Sequence, residues 1–305
     1  FITVNYHYVR PIKNSKNKNI KGLEIKEFIK QLNFLKKNYN IISAYDIKEF
    51  LKNNQKIPKK SCLLTFDDGY KDHYKYVMPE LIKRKLSGCF FPSAENILNH
   101  KVTDTNKIHF ILDKQKSPNT ILLDINTFLK KNHISLPSKK VFMDFEKKFF
   151  KRHDNKEIKF IKYLLQSWIP VNYRSKCCTH LFNKYLKIDE KEFSKNLYLS
   201  FKEIKDMIKN GMTFGGHGYK HIRLGELDFK NQLSEINKMI IFLKKFKINK
   251  DWIMCYPYGS FNNDTISILK KKNCLYGFSA DPGKSILNKK NIFKMNRYDT
   301  NDLVY

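Results

Sequence analysis

Arginine is scarce in this chain: only six of its 59 basic residues are Arg (Arg10, Arg84, Arg152, Arg174, Arg223 and Arg297). The bidentate forks that grip phosphate are therefore few. Lysine carries almost all of a net charge of +30 and is spread evenly rather than gathered into an arm or stripe, which argues against specific nucleic-acid binding. Peripheral attraction to an anionic membrane surface fits such a charge better. Glycine (11) and proline (9) are also sparse, which excludes collagen-like and low-complexity classes. No run approaches the ~20 apolar residues of a membrane helix. The six cysteines (Cys62, Cys89, Cys177, Cys178, Cys255, Cys274) contain no C-x-x-C spacing, so neither a zinc ribbon nor a redox pair is indicated. Several lie in apolar runs and read as small buried hydrophobes; this free-thiol pattern points to a reducing, cytoplasmic compartment. The chain opens without Met on a strand-like run, Phe1 to Tyr6. Its native start is thus expected to be missing, and removal of a signal peptide stays open. What is present, 41% hydrophobic and 14% aromatic residues, requires a globular fold.

Short apolar runs alternate with amphipathic helical patterns over the first hundred residues. FITVNYH, Ile41–Ile42, SCLLTF and GCFFPS read as strands; Ile25 to Leu35, Ile47 to Leu51 and Tyr74 to Leu86 read as helices. Repeated strand–helix–strand order means parallel pairing and an α/β fold. From about residue 100 to 199 the rhythm is lost. Lysine-rich segments of helical period (ILLDINTFLKK, VFMDFEKKFFKR, IKFIKYLLQSW) follow one another, and we expect a helical insertion, serving as a substrate-selecting lid or a docking platform. The α/β rhythm then resumes. Strands are expected at Met212 to Gly215, Trp252 to Tyr256, Tyr276 to Ser279 and Ile292 to Met295, with helices at Phe201 to Asn210, Phe229 to Phe246 and Phe261 to Lys272.

Three motifs fall at strand ends. Thr65-Phe66-Asp67-Asp68-Gly69-Tyr70 closes SCLLTF; adjacent carboxylates repel unless a cation or shared proton relieves them, so a metal is implied, although Asp-Asp-Gly is also ordinary turn chemistry. Gly215-Gly216-His217-Gly218-Tyr219-Lys220-His221 follows Met212-Thr213-Phe214. Two histidines four apart project from one face of a helical turn and can chelate one ion. Cys255-Tyr256-Pro257-Tyr258-Gly259 ends the strand from Trp252 and alone is only a Pro-Tyr-Gly turn. His73, in the helix after the Asp pair, reads as a surface residue, and Cys177, Cys178 and His180 lack metal spacing.

Taken together and in this order, TFDDG, HGYKH and YPYG resemble the polysaccharide deacetylase (NodB-homology, carbohydrate esterase family 4) motifs. The likeness covers roughly residues 1–100 and 200–300. Tyr6-His7-Tyr8-Val9, then Phe28, Gln31, Leu32 and Leu35, is similar to the N-terminal layout of members acting on poly-N-acetylglucosamine. The resemblance implies one distorted (β/α)7 barrel domain spanning residues 1–305, interrupted by the largely helical insertion at about 100–199. It implies metal-dependent removal of N-acetyl groups from amino sugars of a bacterial surface polysaccharide or its precursor. Asp68, His217 and His221 would hold one divalent ion, zinc by preference, with Ni, Co or Mn as alternatives. Asp67 would be the general base and the Tyr258 backbone N–H an oxyanion donor. Three departures stand out: Cys255 occupies the position of a frequent Arg, so the usual Arg support for the base is expected to be absent; Gly216 replaces a common Ser; and no His follows His221 to act as the C-terminal general acid. His7, at the end of the first strand, resembles the acid moved to the N-terminus. An O-deacetylase, or a glycan-binding protein that keeps the barrel without turnover, are the alternatives.

Overall fold

The computed structural model describes residues 1–149, 154–288 and 291–303. The end of the VFMDFEKKFFKR run, from residue 150, lies outside the described residues. The chain forms two compact units, one made of Phe1–Pro11, Lys21–Lys101 and Ser194–Tyr305, the other of Ile12–Ile20 and Val102–Phe193.

The larger unit is an α/β barrel. Its strands are β1 (Ile2–Tyr6), β2 (Asn40–Ile42), β3 (Ser61–Asp68), β4 (Cys89–Pro92), β5 (Thr213–Phe214), β6 (Trp252–Cys255), β7 (Cys274–Phe278) and β8 (Tyr298–Asp299). All pairing is parallel, in the order β5-β4-β3-β1-β8, with β6 beside β7. The short β2 lines the start of the β3 edge that β4 takes over at Thr65. Isolated parallel bridges at Gly216–Met254 and Phe278–Met295 complete the ring, so seven staves surround a common interior. The expected strand at Ile292 to Met295 is reduced to the single bridge at Met295, because residues 291–293 form a turn.

β1, β3, β4 and β6 are buried along their whole length, which is why they read as unbroken apolar runs rather than alternating ones. The period of two sorts their side chains. Tyr6, Phe66, Phe90 and Phe214 share one face of four successive strands and stack in a file with centroids 5.0, 4.7 and 5.5 Å apart. Phe28, from the helix Ile25–Asn38, meets Tyr6 edge-on, so this face looks outward to the helices. Leu63, Cys89, Phe91, Ile253, Cys255, Tyr276 and Phe278 form the interior cluster. Asp67 is two steps of alternation beyond Leu63, at the C-terminal mouth of that interior, where loops of parallel barrels gather functional groups.

The smaller unit is helical, with no strand among its described residues. Helices Asp104–Lys114, Pro118–Lys131, Lys156–Tyr163 and Val171–Leu186 bury Ile108, Ile111, Ile121, Ile125, Leu129, Ile161, Leu181 and Phe182 completely. The segment Ile12–Ile20 joins them through Asp113, which accepts from Asn17 Nδ2 (2.7 Å) and the Asn19 amide (2.8 Å). Nothing in the local sequence of residues 12–20 marked this membership.

Candidate metal centre

Side-chain alternation alone would send Asp67 and Asp68 to opposite faces of β3. The backbone at Asp68 turns left-handed (φ 68°), ending the extended geometry and bringing both carboxylates to the mouth. Gly69 follows at φ 67°, where an added Cβ would lie 2.5 Å from Pro92 Cβ; glycine is required there.

The histidines arrive on a loop. Contrary to the helical turn expected from their spacing, residues 217–222 are irregular, because Gly218 (φ 72°) and His221 (φ 55°) are both left-handed. The loop still brings the rings together: His217 Nε2 and His221 Nε2 are 3.1 Å apart, and both face Asp68 Oδ1, at 3.5 and 3.2 Å. His217 Nδ1 lies 2.9 Å from the Cys255 carbonyl; it donates there, leaving Nε2 as the ring's lone-pair atom. The other Asp68 oxygen accepts from Tyr70 Oη at 2.6 Å. Asp68 Oδ1 itself is buried without a hydrogen-bond partner. An orphaned carboxylate oxygen facing two imidazole nitrogens is the donor set a divalent ion satisfies, so these residues fit such a group. Burial pushes the Asp68 carboxyl up, but the two imidazoles outweigh it and hold it well below the usual carboxylate range. Burial pushes His221 below its ordinary value.

The absence of a nearby Gly216 side chain also has a cause: a Cβ there would sit 2.3 Å from Met239 Sδ, so the sulfur fills the room a serine would need.

Asp67 is supported by a residue that the sequence did not reveal. The expectation that Arg support is missing is overturned by Arg297, just before β8. Its Nη1 and Nη2 donate to the two oxygens of Asp67 at 2.9 and 2.8 Å, and Nε donates to the Ser279 carbonyl at 3.0 Å. Asn5 Oδ1 accepts from Nη1 at 3.0 Å. Burial opposes charge on Asp67, but Arg297 prevails and keeps its carboxyl far below the usual range. Cys255, at the position expected for the Arg, contacts both Asp67 oxygens through Sγ at 3.4 Å. Asp67, His217 and Cys255 also form a cluster of metal-ligand types. The guanidinium already neutralising Asp67 makes this second cluster a poor cation site. Arginine's general scarcity was the only sequence signal for Arg297, which lies 230 residues from its partner.

His7 Nε2 stands 4.0 Å from Asp67 Oδ2, with its side chain 43% exposed. Tyr258, in the turn Pro257–Gly259, is left-handed at φ 58°; its ring meets His221 edge-on at 4.9 Å and lies under the Arg223 guanidinium at 4.5 Å. His73 is wholly buried rather than on the surface, enclosed by Phe66, Tyr70 and Phe90. All six cysteines are buried free thiols, and among the described residues no helix is long and apolar enough to cross a membrane.

Fold and site together define a parallel α/β barrel with an Asp–His–His cluster at its mouth, where such barrels gather functional groups. The polysaccharide deacetylase family model matches residues 54–121 and 146–277, and the chain belongs to this family. Among known proteins it is similar to the poly-beta-1,6-N-acetyl-D-glucosamine N-deacetylase of Staphylococcus aureus strain MSSA476, 25% identical over 203 residues, a match covering 63% of this chain. The chain spans 65% of the length of that relative. Its fold is shared with the Streptococcus pyogenes deacetylase PplD solved with acetate (TM-score 0.58, 18% identity, 98% of this chain and 91% of the other). It is shared too with IcaB from Ammonifex degensii (TM-score 0.56, 16% identity, 97% and 89%).

Proposed function

We propose that this protein is a metal-dependent deacetylase that removes N-acetyl groups from amino sugars of a bacterial surface glycan or its precursor. The observation that carries this reading is the buried Asp68 Oδ1, without a hydrogen bond and facing His217 Nε2 and His221 Nε2, beside Asp67 in its ion pair with Arg297. Asp68, His217 and His221 would hold the ion, for which zinc is our assignment. When bound, it lowers the pKa of a water and polarises the acetyl carbonyl.

The chain's own groups supply the remainder. Asp67, oriented by the Arg297 fork, accepts a proton from the attacking water as the C–O bond forms. The Tyr258 N–H stabilises the oxyanion of the tetrahedral adduct. His7 passes a proton to the nitrogen as the C–N bond breaks, because an amine anion does not leave unaided; acetate and free amine result. We further assign substrate selection to the helical unit, which contributes none of these groups.

Acetate release from N-acetylated glucosamine oligosaccharides tests the reading, using metal-stripped and metal-restored protein. Release only after zinc is restored is expected. Release from O-acetylated glycans alone would make the protein an esterase, and glycan binding without release of acetate from either substrate would make it a binding protein.

A further inference from the structure

Among the described residues, the reaction as proposed leaves one buried histidine unused. His73 begins a π-helical turn, His73–Val77, three residues on from Tyr70 at the end of the TFDDGY motif, a kind of irregularity that recurs at functional sites. Its side chain is completely enclosed. The Phe66 and Phe90 rings lie 5.6 Å away and Tyr70 5.7 Å. In that apolar box, Nδ1 has no hydrogen-bond partner. Nε2 lies 2.9 Å from the backbone carbonyl of His7. A carbonyl only accepts, so Nε2 carries the proton and the ring is the neutral Nε2–H tautomer. Burial agrees, since it pushes this imidazole down to about 4.

The acceptor is the informative part. β1 ends at Tyr6, whose partner in the ladder is Phe66; His7 lies one residue beyond the paired strand. Strand pairing therefore stops just where the side chain must be aimed. His73 reaches across 66 residues of sequence to fix the peptide that follows the last ladder position. Its own position is set by the helix that leaves the Asp67–Asp68 strand end and by a bond from its backbone N–H to the Tyr70 carbonyl at 3.0 Å. One chain of hydrogen bonds thus runs from Tyr70, just after the Asp67–Asp68 strand end, through His73 to the backbone of His7.

We infer that His73 is a positioning residue for His7, holding the His7 peptide so that its imidazole stays within reach of Asp67 and the reacting nitrogen. It touches neither substrate nor metal. The inference rests on the reading of His7 as the general acid, and the experiment separates the two.

Rates would be measured on an N-acetylglucosamine oligosaccharide and on 4-nitrophenyl acetate, whose leaving group needs little protonation. The proteins are wild type, His7→Ala, His73→Leu and His73→Gln, each with zinc content and melting temperature recorded. His73→Leu removes the donor, while His73→Gln keeps an N–H at similar reach. We expect His7→Ala and His73→Leu to lower amide hydrolysis selectively, the latter by about 10- to 100-fold, as small misplacements of catalytic groups do. Zinc content and ester hydrolysis should stay near wild type, and His73→Gln should restore most of the amide rate. Equal losses on both substrates in His73→Leu, or a Gln variant no better than Leu, would make His73 merely structural and overturn the inference. If His73→Leu does not fold, His73→Phe, a planar ring without a donor, takes its place under the same criteria. A His7→Ala protein with equal losses on both substrates would instead remove the acid assignment itself, and the inference with it.

Discussion

The barrel and the helical unit solve the burial problem in opposite ways. The helical unit hides Ile, Leu, Phe and two thiols; its buried lysine, Lys107, is paired with Glu190 at 3.1 Å. The barrel places Asp67, Asp68, His217, His221, His73 and Arg297 at 8% exposure or less. Burying charge costs several kcal/mol per ion unless each is paired, and an aliphatic core achieves folding without that cost. The helical core holds few buried charges, Lys107 and Asp113 among them, whereas the barrel concentrates ionisable groups around its mouth, where they can serve chemistry as well as packing.

The comparison is broken most completely by removing the ion's ligands. If the proposed assignment holds, a protein carrying Asp68→Asn, His217→Ala and His221→Ala is expected to take up no zinc, read by elemental analysis, and to release no acetate; metal content equal to that of the wild type would place the site elsewhere. Asp67→Asn should keep the metal and lose about 10²–10⁴-fold in rate, the usual worth of a general base. Arg297→Leu leaves a buried carboxylate without its cation and should cost about 3–5 kcal/mol of stability. The sign with pH is specific. In wild type the Asp67 carboxyl is depressed, so the pair contributes fully above the ordinary carboxylate range and fades only in strong acid. In the variant, burial pushes that carboxyl up instead. The stability deficit, read from denaturant titrations, should be greatest at neutral pH and shrink on acidification.

The other unit should answer differently. Ile125→Ala, at a fully buried position, should cost about 2–5 kcal/mol by leaving a cavity, with zinc stoichiometry of the folded protein unchanged. Smallest of all, Ser200→Ala removes the cap that accepts from Glu203 N in the barrel unit and should cost about 1 kcal/mol, again without effect on metal.

Much of the site was legible because its residues are local in sequence: Asp67–Asp68 and His217–His221 each lie within a few positions at a strand end. Strand positions were legible too, since doubly buried strands leave unbroken apolar runs. Arg297 was not, because its role depends on ring closure, which brings β8 beside β1, and no local pattern encodes that neighbour. The loop geometry of the histidines escaped for a related reason. Spacing of four suits a helix and also suits a loop with two left-handed residues, and φ is invisible in composition. His73 was misplaced because a polar residue after a turn reads as exposed, while its burial is decided by aromatic rings from two strands and the turn before it.

The ring is not equally strong all round. Where β1 and β3 share a five-residue ladder, the join beside β6 rests on one bridge, with Gly216 N donating to the Ile253 carbonyl at 2.8 Å and Cys255 N to the Gly216 carbonyl at 2.9 Å. His217 is the next residue along. Parting this seam would carry an imidazole away from Asp68, so, on the proposed assignment of an ion to this cluster, closing the ring and holding the ion would be linked equilibria, each favouring the other by the same free energy. Hydrogen exchange at the Gly216 and Cys255 amides should therefore slow when zinc is added, making two backbone protons a gauge of metal occupancy that needs no substrate at all.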